Sequence, residues 1–248
     1  MQLLVLNANT SDFVTQRVCG QARLAAAPGT VIIPATAGFG ARVIATRSEL
    51  AIAEHAVLDA LAHRAEGCDA VVLAVSYDTA LLAAREMLPI PVVGITEAAL
   101  LTACLLGTRL GIVVFGHRML PVYQELATRY GLAARIAGWR ALESEAPYSD
   151  GDQTTVDQLM VDAVSDLVAR DDCEVVVLAG AVMAGVPDRL QPRVSVPLIE
   201  GVSCAVAQAE MLVRLARPKA STGSLATLPR RELEGVSTAL QLRFRGPN

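Results

Sequence analysis

Ser76 stands at a strand end where the sequence predicts ligand binding. An unbroken apolar run, residues 70–75, breaks off at Ser76 and gives way to Tyr77, Asp78 and Thr79. A run of this kind, bounded by turn residues, predicts a strand that is buried on both faces. Because ligands of open α/β sheets bind outside the carboxyl ends of the strands, we expect Ser76 at a binding site. The backbone N–H groups of residues 77–79 would face an anion there.

A second copy of this stretch lies further along the chain. The segment CDAVVLAVS, residues 68–76, is echoed by CEVVVLAGA, residues 173–181. The offset is too long for a solenoid repeat and is typical of a duplicated domain. The turn of Gly180 and Ala181 is therefore the predicted counterpart of Ser76, and we expect both residues to contact the ligand.

Other side chains suited to binding follow the first two strands. Asn9 and Thr10 come after the apolar strand at residues 3–6. A side-chain amide and a hydroxyl supply directed hydrogen bonds, so we expect both residues to position the ligand. Phe39 lies in a loop with two glycines, and with Tyr77 it is predicted to form an apolar wall.

In the second half of the chain, a predicted turn carries ionisable side chains. Gly116, His117 and Arg118 follow the predicted strand at residues 110–115. His117 is either a catalytic base or a solvated turn residue. Arg118 either clamps a substrate carboxylate or points into solvent.

The pattern of strands and helices has the same order in both halves. Strands are predicted at residues 3–6, 31–33, 69–75 and 90–95, and again at 110–115, 133–137, 174–179 and 196–202. This order predicts an α/β protein with two pseudo-symmetric domains, each a four-stranded parallel sheet flanked by helices, and a ligand cleft between them. The predicted first domain is 1–96 plus 203–216, the second is 97–202, and residues 217–248 form a C-terminal extension of loop composition.

Composition narrows the functional classes. Hydrophobic residues make up 53% of the chain and charged residues 19%, as expected for strands buried on both sides. The net charge is −4 with scattered Lys and Arg, so we expect no nucleic-acid partner. Apolar stretches such as residues 98–106 fall short of the ~20 residues of a membrane span. No secretory signal is found, so we expect a cytoplasmic protein without a membrane partner.

Cysteine and histidine usage argues against a metal site. The five cysteines, at positions 19, 68, 104, 173 and 204, form no close pairs, and the three histidines, at 55, 63 and 117, are scattered. These spacings exclude a disulfide framework and give no set of metal ligands.

From residue 1 to about residue 215 the chain resembles the aspartate/glutamate racemase superfamily, and most closely its hydantoin racemases. The matching segments are NANT (7–10), AT (35–36) with Gly40, AARE (83–86), PVVGI (91–95), MAG (183–185) and PLIEGV (197–202). The resemblance implies a homo-oligomeric enzyme without a cofactor, whose cleft holds a small carboxylate or a five-membered cyclic amide. It also implies racemisation by two cysteines that face each other across the substrate carbon.

Both of those cysteine positions are replaced in this chain. The first is Ser76 and the second aligns with Gly180. A serine hydroxyl titrates far from neutral pH, and glycine carries no proton to transfer, so the two-thiol mechanism is not open to this protein.

Three functions are consistent with this departure. The first, which we favour from sequence, is a ring-opening hydrolase or a lyase. In it Ser76 is the nucleophile, His117 is the base, residues 77–79 hold the oxyanion, and Asp78 or Glu200 orients the imidazole. The second is a racemase or isomerase that uses His117 and a carboxylate or water. The third is a metabolite-binding protein without turnover. Structural alternatives stay open for Ser76 as a hydrogen-bonding residue and for Asp78 as the cap of a helix starting at Thr79.

Overall fold

The computed structural model of the protein describes residues 1–143 and 153–245. It contains two four-stranded sheets, and every strand pairing is parallel. The strands are β1 (Gln2–Asn7), β2 (Val31–Thr36), β3 (Ala70–Leu73) and β4 (Val92–Gly94), then β5 (Leu110–Phe115), β6 (Ile136–Leu142), β7 (Val175–Leu178) and β8 (Leu198–Glu200). The predicted fold class is confirmed.

Strand order is the same in the two sheets. It runs β2-β1-β3-β4 in the first and β6-β5-β7-β8 in the second. All residues of the inner strands β3 and β7 are buried, as their unbroken apolar sequences require. Pro34 lies in β2, an edge strand, where a missing backbone donor is tolerated.

Helices connect the strands and cover the sheets. They are α1 (Asp12–Ala25), α2 (Arg47–Arg64), α3 (Leu81–Met87), α4 (Ile95–Leu106), α5 (Leu120–Arg129), α6 (Thr154–Asp171), α7 (Val186–Leu190), α8 (Gly201–Leu215) and α9 (Thr238–Arg245). Within the described residues, none of them is both long and apolar enough to cross a membrane.

The two sheets share one hydrophobic core. Val5 and Val72 of the first sheet belong to the same buried cluster as Val176 and Leu178 of the second. Helix α8 packs against β3 and β4 and also against β8, so it contacts both sheets. This shared core holds the carboxyl ends of the two sheets close to each other. The domain boundaries given above stay a prediction.

Two local predictions were wrong. Ala133–Arg135 forms a 3₁₀ turn, so the strand predicted at 133–137 begins at Ile136. The extension predicted as loop contains α9, which packs on α2 through the buried Leu240. Residues 144–152 of the predicted second domain and 246–248 of the extension lie outside the described residues.

Candidate active site

A cavity of about 60 Å³ lies where the carboxyl ends of the two sheets meet. Residues at the end of β1 and after β3 line it from the first half, and Phe115 at the end of β5 and residues after β7 line it from the second. Its polar lining is Asn7, Asn9, Ser76, Tyr77 and Tyr123, and the other lining residues are apolar or glycine. This is the position at which open α/β sheets bind ligands.

Ser76 makes a hydrogen bond across this cavity. The backbone N–H of Ala181 donates to Ser76 Oγ over 3.1 Å. The backbone of Ser76 is bonded as well: Thr96 Oγ1 donates to its carbonyl oxygen over 2.5 Å. This hydrogen bond fixes the turn that follows β3. Because Oγ accepts one hydrogen bond from Ala181, Ser76 retains its hydroxyl hydrogen as a donor and one lone pair as an acceptor for a ligand.

The strands β3 and β7 have the same offset as the duplicated segments found in the sequence. The strands begin at Ala70 and Val175, an offset of 105 residues. The counterpart of Ser76 is therefore Ala181, and the counterpart of Gly180 is Val75. A Cβ added at Gly180 would lie 3.9 Å from Ser76 Oγ. The two turns face each other, but Ser76 and Gly180 are not equivalent positions.

Asn7 lines the cavity, whereas Asn9 and Thr10 were the residues predicted to bind ligand after β1. The Asn7 Nδ2 group donates to Asn9 Oδ1 over 2.8 Å and to the carbonyl oxygen of Ser11 over 3.0 Å. Asn9 Oδ1 also accepts from the N–H of Ser11 over 2.9 Å, so both amides are fixed at the end of β1. Thr10 is not among the lining residues. The sequence feature that could have identified Asn7 as a site residue is its position as the polar last residue of a buried apolar strand.

The predicted base His117 is not brought to Ser76. His117 and Arg118 belong to the 3₁₀ turn His117–Met119 after β5, and both are exposed. The His117 N–H donates to Glu143 Oε1 over 2.8 Å. Neither residue lines the Ser76 cavity, nor does Gly116, which has a φ of +78° at the start of the turn. The proposed nucleophile–base pair is therefore not formed, because the turn presents His117 to solvent.

Asp78 caps a helix and does not line the Ser76 cavity. Its Oδ1 accepts from the Thr96 N–H over 3.0 Å, and its Oδ2 accepts from the Glu97 N–H and the Tyr130 hydroxyl, each over 2.7 Å. It therefore caps α4, and not the helix that follows it in sequence. Burial raises the pKa of Asp78 to about 6, although these hydrogen bonds act in the opposite direction.

The turn at residues 77–79 does not present three free N–H groups, as the oxyanion hypothesis required. The N–H of Asp78 donates to the carbonyl oxygen of Val75 over 3.1 Å. Asp78 and Ala80 both have left-handed φ values, +46° and +60°. Tyr77 lines the cavity, whereas Thr79 is almost fully buried outside it.

Two further candidates have structural contacts elsewhere. The Glu200 carboxylate accepts from the N–H groups of Val202 (2.5 Å) and Ser203 (2.8 Å) and caps α8, and burial raises its pKa. The half-exposed Phe39 ring packs edge-on against His55, with 5.2 Å between the centroids. Glu200 therefore does not orient His117, and Phe39 is not a wall of the Ser76 cavity.

The cavity is chemically neutral. Among the described residues, its lining contains no carboxylate, imidazole, amine, guanidinium or thiol. Likewise, no cluster of three His, Cys, Asp or Glu residues within 1–143 and 153–245 is placed to bind a metal. Amides, hydroxyls and backbone groups bind a neutral polar ring through directed hydrogen bonds. They include no group well suited to proton transfer near neutral pH.

Sequence comparison identifies racemases as relatives of this chain. The family model described as Asp/Glu/Hydantoin racemase matches residues 3–209. The chain is 34% identical to a hydantoin racemase of Rhizobium meliloti over 149 residues, which is 60% of this chain and 62% of that protein. It is 30% identical to a hydantoin racemase of Paenarthrobacter aurescens over 217 residues, which is 87% of this chain and 92% of that one.

Structural comparison leads to the same group. The allantoin racemase from Klebsiella pneumoniae aligns with a TM-score of 0.92 at 32% identity, over 97% of this chain and 99% of that chain. The aligned residues therefore include nearly the whole of both chains. The chain belongs to the Asp/Glu/hydantoin racemase family.

Proposed function

We propose that this protein is an enzyme that binds a small five-membered cyclic amide between Ser76 and the Ala181 turn and isomerises it at the carbon beside the ring carbonyl. The observation that carries this proposal is the 3.1 Å hydrogen bond between Ala181 and Ser76, which brings both turns to one cavity. The hydantoin and allantoin racemases similar to this chain support the substrate class.

The lining suggests how the reaction is assisted. When a proton leaves the ring carbon, the electron pair of the C–H bond moves onto the adjacent carbonyl oxygen. The Ser76 hydroxyl and the Asn9 amide are fixed donors that stabilise this enolate oxygen. Water or hydroxide takes the proton, and water returns one to the opposite face, so atoms and charge balance. Since no lining side chain is a matched base, we expect slow turnover.

Ring-opening hydrolysis and elimination have less support. A serine nucleophile needs a base within hydrogen-bonding reach. His117, the base expected from sequence, is exposed and outside the cavity. We therefore place the hydrolase and lyase hypotheses below isomerisation.

Binding without turnover is a second candidate function. The observation in its favour is the absence of ionisable acid–base side chains such as carboxylates and imidazoles among the described residues that line the cavity. In that case the hydrogen-bonding groups hold the ring, and solvent exchange of its α-proton is not accelerated.

Enantiomers of allantoin and of 5-methylhydantoin, incubated with the protein in D₂O, separate these functions. Isomerisation predicts loss of optical rotation and of the α-proton NMR signal above the protein-free rate, with the ring intact. Ser76→Ala should reduce both rates, whereas Ser165→Ala, on α6, should not. Calorimetric binding without exchange supports the second candidate, and a ring-opened product supports hydrolysis. Absence of both binding and exchange would overturn the proposed substrate class.

A further inference from the structure

A further cavity lies between the C-terminal extension and the ends of α2 and α3. Its volume of about 780 Å³ is within the range of roughly 300–1,000 Å³ that is typical of small-molecule sites. Among the described residues, it shares no lining residue with the Ser76 cavity. The match to the family model ends at residue 209, so the extension forms one wall of this cavity from outside that match. We call it the extension cavity.

Hydrogen bonds and packing hold the walls of the extension cavity in place. Leu240 of α9 is buried and packs on α2. The Arg231 N–H donates to the carbonyl oxygen of Phe244 over 3.0 Å, which ties the segment before α9 to the end of that helix. Lys219 Nζ donates to the carbonyl oxygen of Glu86 in α3. The cavity is therefore largely formed before a ligand binds, as in most small-molecule sites.

Two cations of the extension, Lys219 and Arg243, line the cavity. Both side chains are half-buried. Lys219 donates to Glu86 in α3, and Arg243 donates to the carbonyl oxygen of Ala62 in α2 over 3.5 Å. An ammonium carries three donors and a guanidinium five, so each group can also donate to a ligand.

The charges that line the cavity leave an excess of positive charge. Within the described part of the chain, Glu66 is the one carboxylate of the lining, so two cations against one anion give a formal charge of +1 with His63 neutral. Outside the lining, Asp59 Oδ2 lies 3.6 Å from His63 Nδ1. Burial lowers the pKa of Lys219, although the charge of Glu86 acts in the opposite direction. Its ammonium has therefore lost part of its hydration and would gain from an anion beside it.

The remaining lining is apolar except for Thr227. Met87 contributes from α3, and Leu228 and Leu242 contribute from the extension. Leu242 is 60% exposed, so its side chain is available for contact with a ligand. Covering such side chains with an apolar group is favourable because it removes their surface from water. An inorganic anion would leave this surface in water, and a neutral hydrocarbon would leave the two cations without an anion.

We propose that the extension cavity is a second binding site, which takes a carboxylate with an apolar chain of several carbons. The carboxylate accepts hydrogen bonds from Lys219 and Arg243. The chain covers Leu228 and Leu242. This assignment does not rest on the proposed function, because the extension cavity and the Ser76 cavity have separate linings.

Calorimetric titration of the full-length protein tests the ligand class with three probes: octanoate, acetate and octanol. Acetate lacks the chain, and octanol lacks the charge. We expect octanoate to bind about tenfold more tightly than either of the other two. Hydantoin is added in a parallel titration and should not displace octanoate.

Variants of the two cations test where the carboxylate binds. Lys219→Gln and Arg243→Gln should each weaken octanoate binding by about tenfold. Arg214→Gln, at an exposed arginine of α8, makes the same change of charge outside the cavity and should leave the affinity unchanged. Circular dichroism and melting temperatures show whether each variant keeps its fold, since both cations also hold the extension.

Two exposed positions give tests that do not disturb these contacts. Glu66→Gln should tighten octanoate binding by about two- to fivefold, because it removes a charge that repels the ligand. Leu242→Ser should weaken octanoate binding and leave acetate binding unchanged, because it removes apolar surface only.

Four results would overturn the proposal. The first is octanoate binding no tighter than that of acetate. The second is displacement of octanoate by hydantoin, which would place the probe in the Ser76 cavity. The third is unchanged octanoate affinity in folded Lys219→Gln and Arg243→Gln, and the fourth is weaker binding in Glu66→Gln.

Discussion

The hydroxyl of Tyr130 donates a hydrogen bond to Asp78 Oδ2 over 2.7 Å and so joins the two halves of the protein beside the candidate site. Asp78 lies two residues after Ser76, whereas Tyr130 immediately follows α5. The same carboxylate caps α4 through the N–H groups of Thr96 and Glu97. One buried carboxylate therefore connects the Ser76 turn with two helices.

Asp78 makes the stability of the fold depend on pH. Burial raises its pKa from 3.8 to about 6, so between these values the folded state holds a proton that the unfolded chain has released. The contribution of Asp78 to the unfolding free energy is fully present below pH ~4 and is lost as the pH rises through ~6. The loss is on the order of 3 kcal/mol. Urea titrations across this pH range measure it.

Two variants identify the titrating group. Asp78→Asn should be less stable overall, since it weakens the cap, but should lack this part of the pH dependence. Glu66→Gln, at an exposed position, should retain it. If the unfolding free energies of Asp78→Asn and of the unaltered protein change with pH in the same way, Asp78 is not the group that causes the pH dependence.

Tyr130→Phe should destabilise the protein by about 1.5–3 kcal/mol, because it removes a hydrogen bond to a buried charged group. The pKa of Asp78 should rise further, since the Tyr130 hydroxyl lowers it. Thr128→Val, at an exposed position in the last turn of α5, should change the unfolding free energy by less than about 0.5 kcal/mol. Thermal and chemical unfolding measure the stability of both variants. Equal destabilisation by Tyr130→Phe and Thr128→Val would contradict a stabilising hydrogen bond between Tyr130 and Asp78.

Gly180→Ala should cost about 1–3 kcal/mol, because the φ of +133° at this position is strained for any residue with a Cβ. Crowding is not the reason, since the nearest atom to an added Cβ lies at 3.7 Å. Gly38→Ala is the matched control, in open space and without a positive φ. Comparable stability of both variants in chemical denaturation would show that the backbone at 180 relaxes freely.

Thr79→Val should be neutral or stabilise the protein by about 1–2 kcal/mol. The Thr79 hydroxyl is buried and has no hydrogen-bond partner among the described residues, so its removal relieves a desolvation penalty. Thr15→Val is the contrasting change, because its buried hydroxyl is 2.7 Å from Thr36 Oγ1, and it should destabilise by about 1 kcal/mol. Differential scanning calorimetry measures both changes in stability, and a loss of stability in Thr79→Val as large as that in Thr15→Val would contradict the prediction.

Much of the fold was predictable because its strands are unbroken apolar runs. The duplicated segments around Ser76 and Ala181 also indicated that two turns would face one cavity. The strand at Ile136 was misplaced because a 3₁₀ turn occupies Ala133–Arg135, where local sequence does not separate turn from strand. Helix α9 was missed because a single buried side chain, Leu240, anchors it within a segment of loop composition.

The roles of individual side chains at the strand ends were less predictable. Asp78 and His117 both follow strands, yet one is withdrawn into a cap and the other is turned to solvent. The partners of Asp78 are 18, 19 and 52 residues away, and no local pattern specifies such contacts. Assembly into a homo-oligomer stays a prediction.

The backbone at Gly180 also constrains how this protein can change. A reactive side chain placed there would have room, but the main chain has a geometry that glycine alone adopts without strain. The peptide units around this position would have to rotate together with the substitution. A single amino-acid change at residue 180 is therefore an unfavourable way for this protein to acquire a catalytic group beside Ser76.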